Sequence, residues 1–167
     1  MTERKRCFPP VVDAHTRVLL LGSLPGEASL KANRYYAHPQ NRCWHLLGEV
    51  LGIPLVDQTY IDRLAALLRH GVGLWDVIAE ADRPGSLDAA IRNQAHNDLH
   101  QLVNQLPNLH TIAFNGGTAA RLGRRQLADL TKPLQLLDLP SSSPAYTLPY
   151  AEKLTRWQML VSQIGEA

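Results

Sequence analysis

The 167-residue sequence lacks the features that define several common protein classes. It has no apolar run of roughly eighteen residues and no secretory h-region; residues 18–21 are far too few to span a bilayer, so a cytoplasmic protein without membrane association is expected. It has only two cysteines, Cys7 and Cys43, far apart and without CxxC spacing, which argues against a disulfide framework and against a cysteine-built zinc or iron–sulfur site. None of its seven histidines forms an HExxH motif. The periodicity sets His96 and His100 one turn apart on a helix, but no third ligand is near and a solvated face is the expectation. No metal and no cofactor are therefore expected. Strong charge is also missing: 17 Lys and Arg against 15 Asp and Glu give a formal net charge of +2, which admits a phosphate-bearing partner without demanding one.

What is present is the pattern of a folded α/β protein. Hydrophobic residues are 45% and charged residues 19% of the chain, which does not suit disorder, and the length suits one domain over 1–167. Residues 1–10, basic and proline-bearing, read as a loosely ordered lead-in. Residues 17–22 (RVLLLG) form an apolar run closed by glycine, the mark of a strand buried on both faces. Further strands are expected at 71–76 (GVGLWD), 110–114 (HTIAF) and 134–139 (LQLLDL). A helix is expected after Pro39, with Cys43, Leu47, Val50 and Leu51 on one face and Gly52 and Pro54 ending it. Others are expected around Leu64, Leu67 and Leu68, over 97–106, over 118–122, and at the end of the chain, burying Leu154, Trp157, Val161 and Ile164. This alternation predicts an α/β fold, a three-layer α/β/α sandwich on a central, mainly parallel four-stranded sheet.

In open α/β sheets ligands gather beyond the carboxyl ends of the strands. The loops there would be 22–26 (GSLPG), the Trp75-Asp76 turn, Asn115-Gly116-Gly117 and 140–144 (PSSSP). The stretch 34–41 (RYYAHPQN) is unusual, because two tyrosines, a histidine and an asparagine are costly to bury unless each polar tip finds a partner. Each piece also has a plain reading: GSLPG as a tight turn, the tyrosines as core, Asn41 and Asn115 as helix caps, the serines as a solvated turn, Asp76 as a strand end. Arg34, Arg42, Arg121, Arg124 and Arg125 are available for phosphate contacts, although surface arginines are usually just solvated.

Together these segments resemble a known family. Residues 22–26 (GSLPG) followed by 36–44 (YAHPQNRCW) are similar to the first motif of the mismatch-specific and hypoxanthine-type branches of the uracil-DNA glycosylase superfamily. Residues 139–145 (LPSSSPA) resemble its second motif, the DNA-intercalating loop after the last strand, and 71–77 and 83–88 (RPGSLD) resemble its middle. The resemblance implies a single, monomeric glycosylase domain that acts on DNA containing deaminated bases. Uracil and mismatch enzymes of the family carry Asp or Asn in the first-motif loop to orient water; here Leu24 stands in that place, and leucine cannot polarise water. This favours the hypoxanthine (deoxyinosine) branch, whose HPxN asparagine is catalytic and matches Asn41. The resemblance further implies Tyr36 as the stacking floor for the base, with Gly22, Ser23, Leu24, His38 and Asn115 around it. Pro140, Ser141, Ser142, Ser143 and Pro144 would grip the DNA. Tyr35 would face the other way from Tyr36 in an extended segment and is read as packing.

Cleaving a deoxyribose N-glycosidic bond builds oxocarbenium character on the sugar and negative charge on the departing base. Asparagine is no strong base, but its carbonyl can hold a water in line with the anomeric carbon. Donors aimed at the purine must do the rest, and the base must first leave the helix. A lyase step would need an amine to form a Schiff base; Lys5, Lys31, Lys132 and Lys153 lie outside the matched positions, Lys31 least far. Three other readings stay open: excision of uracil or a mismatched base, a catalytically silent damaged-DNA-binding module, and a hydrolase of free nucleosides, which would need no intercalating loop.

Overall fold

The computed structural model describes residues 4–164. In chain order its elements are β1 (Lys5–Arg6), β2 (Val18–Gly22), α1 (Glu27–Ala32), α2 (Cys43–Leu51), α3 (Tyr60–Arg69), β3 (Val72–Asp76), β4 (Ile78–Asp82), β5 (Arg92–His96), α4 (Leu99–Gln105), β6 (Thr111–Asn115), α5 (Gly117–Leu127), β7 (Gln135–Leu139), α6 (Tyr150–Trp157) and α7 (Val161–Ile164). Four of the strands pair in the order β3-β2-β6-β7, all parallel.

Every residue of β2 is buried, and successive side chains feed opposite faces of the sheet. Val18 and Leu20 join Leu46, Leu47, Leu67, Leu74 and Trp157 in one core, supplied by α2, α3 and α6. Leu19 and Leu21 join Leu99, Leu102, Val103, Phe114 and Leu122 in the other, supplied by α4 and α5. Two covered faces explain why β2 reads as an unbroken apolar run, and they make the three-layer α/β/α sandwich that the sequence predicts.

The structure departs from the expected elements in five places. A short helix, α1, follows the first loop where no element was expected. A second, three-stranded antiparallel sheet, β1-β4-β5, stands beside the first. Its strand β5 (RNQAH) is exposed along its whole length, so it carries no apolar alternation that a sequence reading detects. Residues 4–10 are not a loose lead-in. Lys5 and Arg6 pair with Ala81 and Glu80, the Cys7 amide donates to the Ala79 carbonyl at 2.9 Å, and the Trp75 indole donates to the Phe8 carbonyl at 3.0 Å; residues 1–3 of that expectation lie outside the described residues. His96 and His100 do not share a helix. His96 ends β5, and α4 starts at Leu99, capped by the Asp98 carboxylate accepting from the Gln101 amide at 3.0 Å. Val161, expected to be buried, is 51% exposed, because a tight 3-10 turn at Gln158–Leu160 shifts the phase and buries Leu160 with Trp157 and Ile164.

Close packing of α5 on β6 rests on a missing side chain. A Cβ on Gly123 would stand 2.3 Å from the Phe114 ring, which is itself fully buried. In an exposed helix Gly→Ala stabilises by roughly 1 kcal/mol. At Gly123 we expect the opposite, a loss of about 1–3 kcal/mol from overpacking, read by chemical denaturation. A more stable Gly123→Ala protein would show that helix and strand have room to part.

Candidate active site

The four parallel strands deliver their carboxyl ends to one rim. Gly22 pairs with Asp76 and Asn115 with Leu139, so the loops that follow open side by side. Between them lies a cavity of about 410 Å³, lined by Gly22, Tyr36, Asn41, Asp76, Asn115 and Ser142 among others. Its size is that of a small-molecule site. Every site residue expected from the sequence, except Pro140 beneath the loop, lines this cavity.

Tyr35 and Tyr36 are sent in opposite directions by the backbone. Tyr36 has φ +54°, the left-handed region that a bulky residue rarely adopts. Tyr35 is buried and tied down: its amide donates to the Tyr60 hydroxyl at 2.9 Å, its own hydroxyl donates to the Pro9 carbonyl at 3.1 Å, and its carbonyl accepts from the Trp44 indole at 3.2 Å. It is packing, as its alternation suggests. Tyr36 turns its partly exposed ring to the cavity, braced edge-on by Trp44 with centroids 6.5 Å apart. Its hydroxyl is buried and has no hydrogen-bond partner among the described residues. Burial, and then the nearby Cys43 and Asp76, hold it far above the usual phenol range; Asn115 lies close enough to temper that shift yet makes no hydrogen bond with it.

Three loops are sewn together by one chain of hydrogen bonds. The Asn115 carboxamide donates from Nδ2 to Ser142 Oγ at 2.9 Å, and its Oδ1 accepts from the Ser142 amide at 2.9 Å. Ser142 Oγ in turn donates to Asn41 Oδ1 at 2.8 Å, and the Cys43 amide donates to the same oxygen at 2.9 Å. Both lone pairs of the Asn41 carbonyl are therefore spent on the protein. The asparagine closes a turn onto the first amide of α2, whose N-cap is Arg42, and it leaves its Nδ2 donor to the cavity. Holding water through the carbonyl, as expected from sequence, does not fit this arrangement.

The serine loop divides by role. Ser142 is 1% exposed and faces inward, so it cannot touch a phosphate. Ser141 and Ser143 are half-buried and use their hydroxyl oxygens to accept from the Ser143 and Ala145 amides at 3.1 and 3.2 Å, which leaves each O–H free to donate outward. Pro144 is exposed on the rim, whereas Pro140 gives its carbonyl to the Trp157 indole at 2.8 Å. Lys153 Nζ donates to the Ser143 carbonyl at 3.1 Å and lies over the Tyr146 ring. Arg42, exposed at the start of α2, faces the same groove as Tyr146 and Lys153. Arg124 and Arg125 sit in the last turn of α5, far from its cavity end, and Arg124 is paired with Asp138 at 3.1 Å.

The first loop is held by residues that the sequence reading did not single out. Arg83, fully buried, donates to the carbonyls of Leu24 (3.4 Å), Pro25 (2.6 Å) and Gly85 (2.9 Å). This staple points Leu24 into the core, where it packs with Leu21 and Val77, so the leucine shapes the wall without offering polar chemistry. Ser23 donates to Asp88 Oδ1 at 2.7 Å, bringing an exposed carboxylate to the cavity edge. His38 accepts from the Gln40 amide at its Nδ1 (3.0 Å), a turn contact that leaves Nε2 outward. Asp76 stands on the rim expected from the sequence, with no role assigned to it there beyond a strand end. It is 3% exposed at the inner end of the cavity, and its carboxyl is pushed up to about 7, first by burial, then by the Asp88 charge, against the pull of Arg83. A carboxylate ending a fully apolar strand at the ligand rim was the available signal; nothing in the spacing marks a buried arginine such as Arg83.

Comparison with known proteins agrees with this geometry. The profile of the uracil DNA glycosylase superfamily matches residues 9–161. A hypoxanthine DNA glycosylase of Methanosarcina barkeri is 43% identical over 113 residues, covering 68% of this chain and 72% of the relative. One of Methanosarcina acetivorans is 41% identical over 115 residues, covering 69% and 73%. A solution NMR structure from Methanosarcina acetivorans, provisionally described as a uracil DNA glycosylase, superposes with a TM-score of 0.86 at 34% identity over 97% of this chain and 99% of that one. By motif, fold and relatives alike, the chain belongs to the uracil DNA glycosylase superfamily.

Proposed function

We propose that the protein is a DNA glycosylase that hydrolyses the N-glycosidic bond of deoxyinosine, releasing hypoxanthine and leaving an abasic site. The observation that carries this reading is the rim cavity itself. It has an aromatic wall at Tyr36, polar groups at its inner end, and a proline-stiffened serine loop at its mouth. The relatives named as hypoxanthine DNA glycosylases support the choice of base. So does the core-packed Leu24, which offers nothing to the water-orienting role that Asp or Asn plays in the uracil-type branches.

In this mechanism the damaged nucleotide swings out of the duplex and its base enters the cavity, stacking on the Tyr36 ring; such stacking contributes about 1–3 kcal/mol per base. The sugar stays at the mouth, beside Asn41 and the serine loop. Bond breaking runs ahead of water attack when the transition state resembles an oxocarbenium ion, so the water needs a fixed place more than a strong base. Asn41 Nδ2, aimed by the two bonds on its carbonyl, donates to that water and holds it. The Asp88 carboxylate at the cavity edge is suited to take up the proton released. The O–H groups of Ser141 and Ser143, with Arg42, meet the backbone phosphates. No lysine lines the cavity, which supports hydrolysis over a Schiff-base lyase step. The free thiols Cys7 and Cys43 suit a reducing cytoplasm.

The reading is tested with labelled duplexes carrying a single inosine or uracil, followed by alkaline cleavage of abasic sites. Inosine duplexes should be cut and uracil duplexes cut more slowly; cutting of uracil alone would overturn the assignment of the base, and cutting of neither would remove the enzyme. Asn41→Ala should lower single-turnover cleavage by about 10²–10³-fold while duplex binding persists, the scale seen when one aimed donor is lost. A rate near native would mean that the water is held elsewhere. Ser142→Ala leaves Asn115 and Asn41 without their shared partner, and we expect it to lower stability by about 1–3 kcal/mol and turnover with it. Loss of stability with unchanged turnover per folded molecule would show that the chain of hydrogen bonds does not aim Asn41.

A further inference from the structure

The inner end of the cavity holds two polar atoms that bind nothing in the protein. Asp76 Oδ2 and the Tyr36 hydroxyl are both buried, and neither has a hydrogen-bond partner among the described residues. The two side chains meet at the end of β2: a Cβ on Gly22 would stand 2.6 Å from the other Asp76 carboxyl oxygen, Oδ1, and 3.0 Å from the Tyr36 oxygen. Buried polar groups are nearly always paired, so two adjacent exceptions facing one cavity mark the place where a ligand supplies the partners. Depth says which part of the substrate that is. The sugar and phosphates remain with the strand outside, and only the base reaches this far.

Resting on the function proposed above, we infer that Asp76, as a neutral carboxylic acid, reads the edge of the flipped base, donating to O6 of hypoxanthine and accepting from its N1–H, while Tyr36 holds the base by its ring. Hypoxanthine presents an N–H beside a C=O on that edge. A carboxylate would accept from the N–H but repel both the carbonyl oxygen and the negative charge that gathers on the purine as the bond breaks. A carboxylic acid offers one donor and one acceptor, and its donor binds more strongly as O6 gains charge, which stabilises the transition state over the ground state.

The surroundings favour the neutral acid. Asp88, in the connection between β4 and β5, opposes a second negative charge, and the buried Arg83 pulls the other way. The other titratable groups that sense Asp76 are Cys7, Tyr35 and Tyr36, all held above their ordinary values and uncharged near neutrality. With the carboxyl pushed up to about 7, its protonated fraction falls as pH rises through that value.

The experiment measures single-turnover cleavage of the inosine duplex by native protein, Asp76→Asn and Asp76→Ala across roughly pH 5 to 9, two units either side of the midpoint. The native rate should fall about tenfold per unit on the alkaline side. Asp76→Asn keeps a donor and an acceptor in the same shape at every pH, so it should stay within about tenfold of the native acid-side rate and lose the alkaline fall. Asp76→Ala should be about 10- to 100-fold slower than native on the acid side, the usual effect of deleting one partner of a buried hydrogen bond. A rate that rises through pH 7, with Asp76→Asn as slow as Asp76→Ala, would overturn the proposal and make Asp76 a base. A carbon-13 titration of the Asp76 carboxyl in the free protein, assigned by its absence from Asp76→Asn, gives a readout besides activity; a midpoint at an ordinary carboxylate value would also overturn it. Native protein that cleaves inosine while the variants behave otherwise than expected sinks this proposal alone, whereas native protein that leaves inosine duplexes intact sinks the functional reading beneath it.

Discussion

The contacts from Asn115 through Ser142 and Asn41 to the start of α2 are the constraint on which the cavity depends. The four groups come from three loops that are far apart in the chain, and the parallel sheet alone brings them to the same edge. Each link uses a donor and an acceptor that the others leave over, so the directions of the bonds are set as a unit. Ser142 accepts from one asparagine and donates to the other; turning either amide over would set two N–H donors against each other. That fixes Asn41 with its carbonyl inward and its amide outward, and it fixes the backbone of the serine loop against β6. Gly116, at φ +102°, lets the chain turn away where a Cβ would meet the Ser141 side chain at 3.1 Å.

With those loops pinned, polar chemistry separates by depth. Groups near the mouth are satisfied by the protein and present leftover O–H and N–H donors to a phosphate, a sugar or a water. Groups at the inner end, Asp76 and the Tyr36 hydroxyl, are left without partners and pushed toward their neutral forms by burial. Apart from the Asp88 carboxylate at the edge, the arrangement is biased toward hydrogen-bond donation, which suits a reaction whose leaving group gathers negative charge. Leu24 marks the difference from a site that would activate water strongly: Arg83 holds its loop by the carbonyls and turns the side chain into the core.

Much of this was legible in the sequence, for identifiable reasons. β2, β3 and β6 are buried on both faces, and burial of that kind writes an apolar run that ends where the rim begins; the convergence of GSLPG, Asp76, Asn115 and the serines followed from strand order alone. Tyr36 and Asn41 stood out because polar tips at a strand-to-helix junction need partners. What could not be read was whatever depends on contacts between distant segments with no periodic signature. β5 has no buried residue, β1 is two residues long, and Arg83 becomes a staple only once three carbonyls meet it. The orientation of the Asn41 amide and the inward turn of Ser142 are of the same kind, since both are set by a partner about a hundred residues or more than twenty away along the chain. Val161 failed for a local reason: one 3-10 turn advances the helix phase by a residue and exchanges it with Leu160.

The central claim is that a flipped purine sits with its ring on Tyr36 and its N1–O6 edge against Asp76. The most direct measurement is a crystal structure of the Asn41→Ala protein bound to a duplex carrying one intact inosine. The expected result is an everted nucleotide stacked on the Tyr36 ring, O6 and N1 within hydrogen-bond distance of the Asp76 carboxyl, and the sugar at the Asn41 position beside Ser141 and Ser143. An inosine still stacked in the duplex at full occupancy, or a base whose N1–O6 edge faces the serine loop with Asp76 untouched, would contradict it.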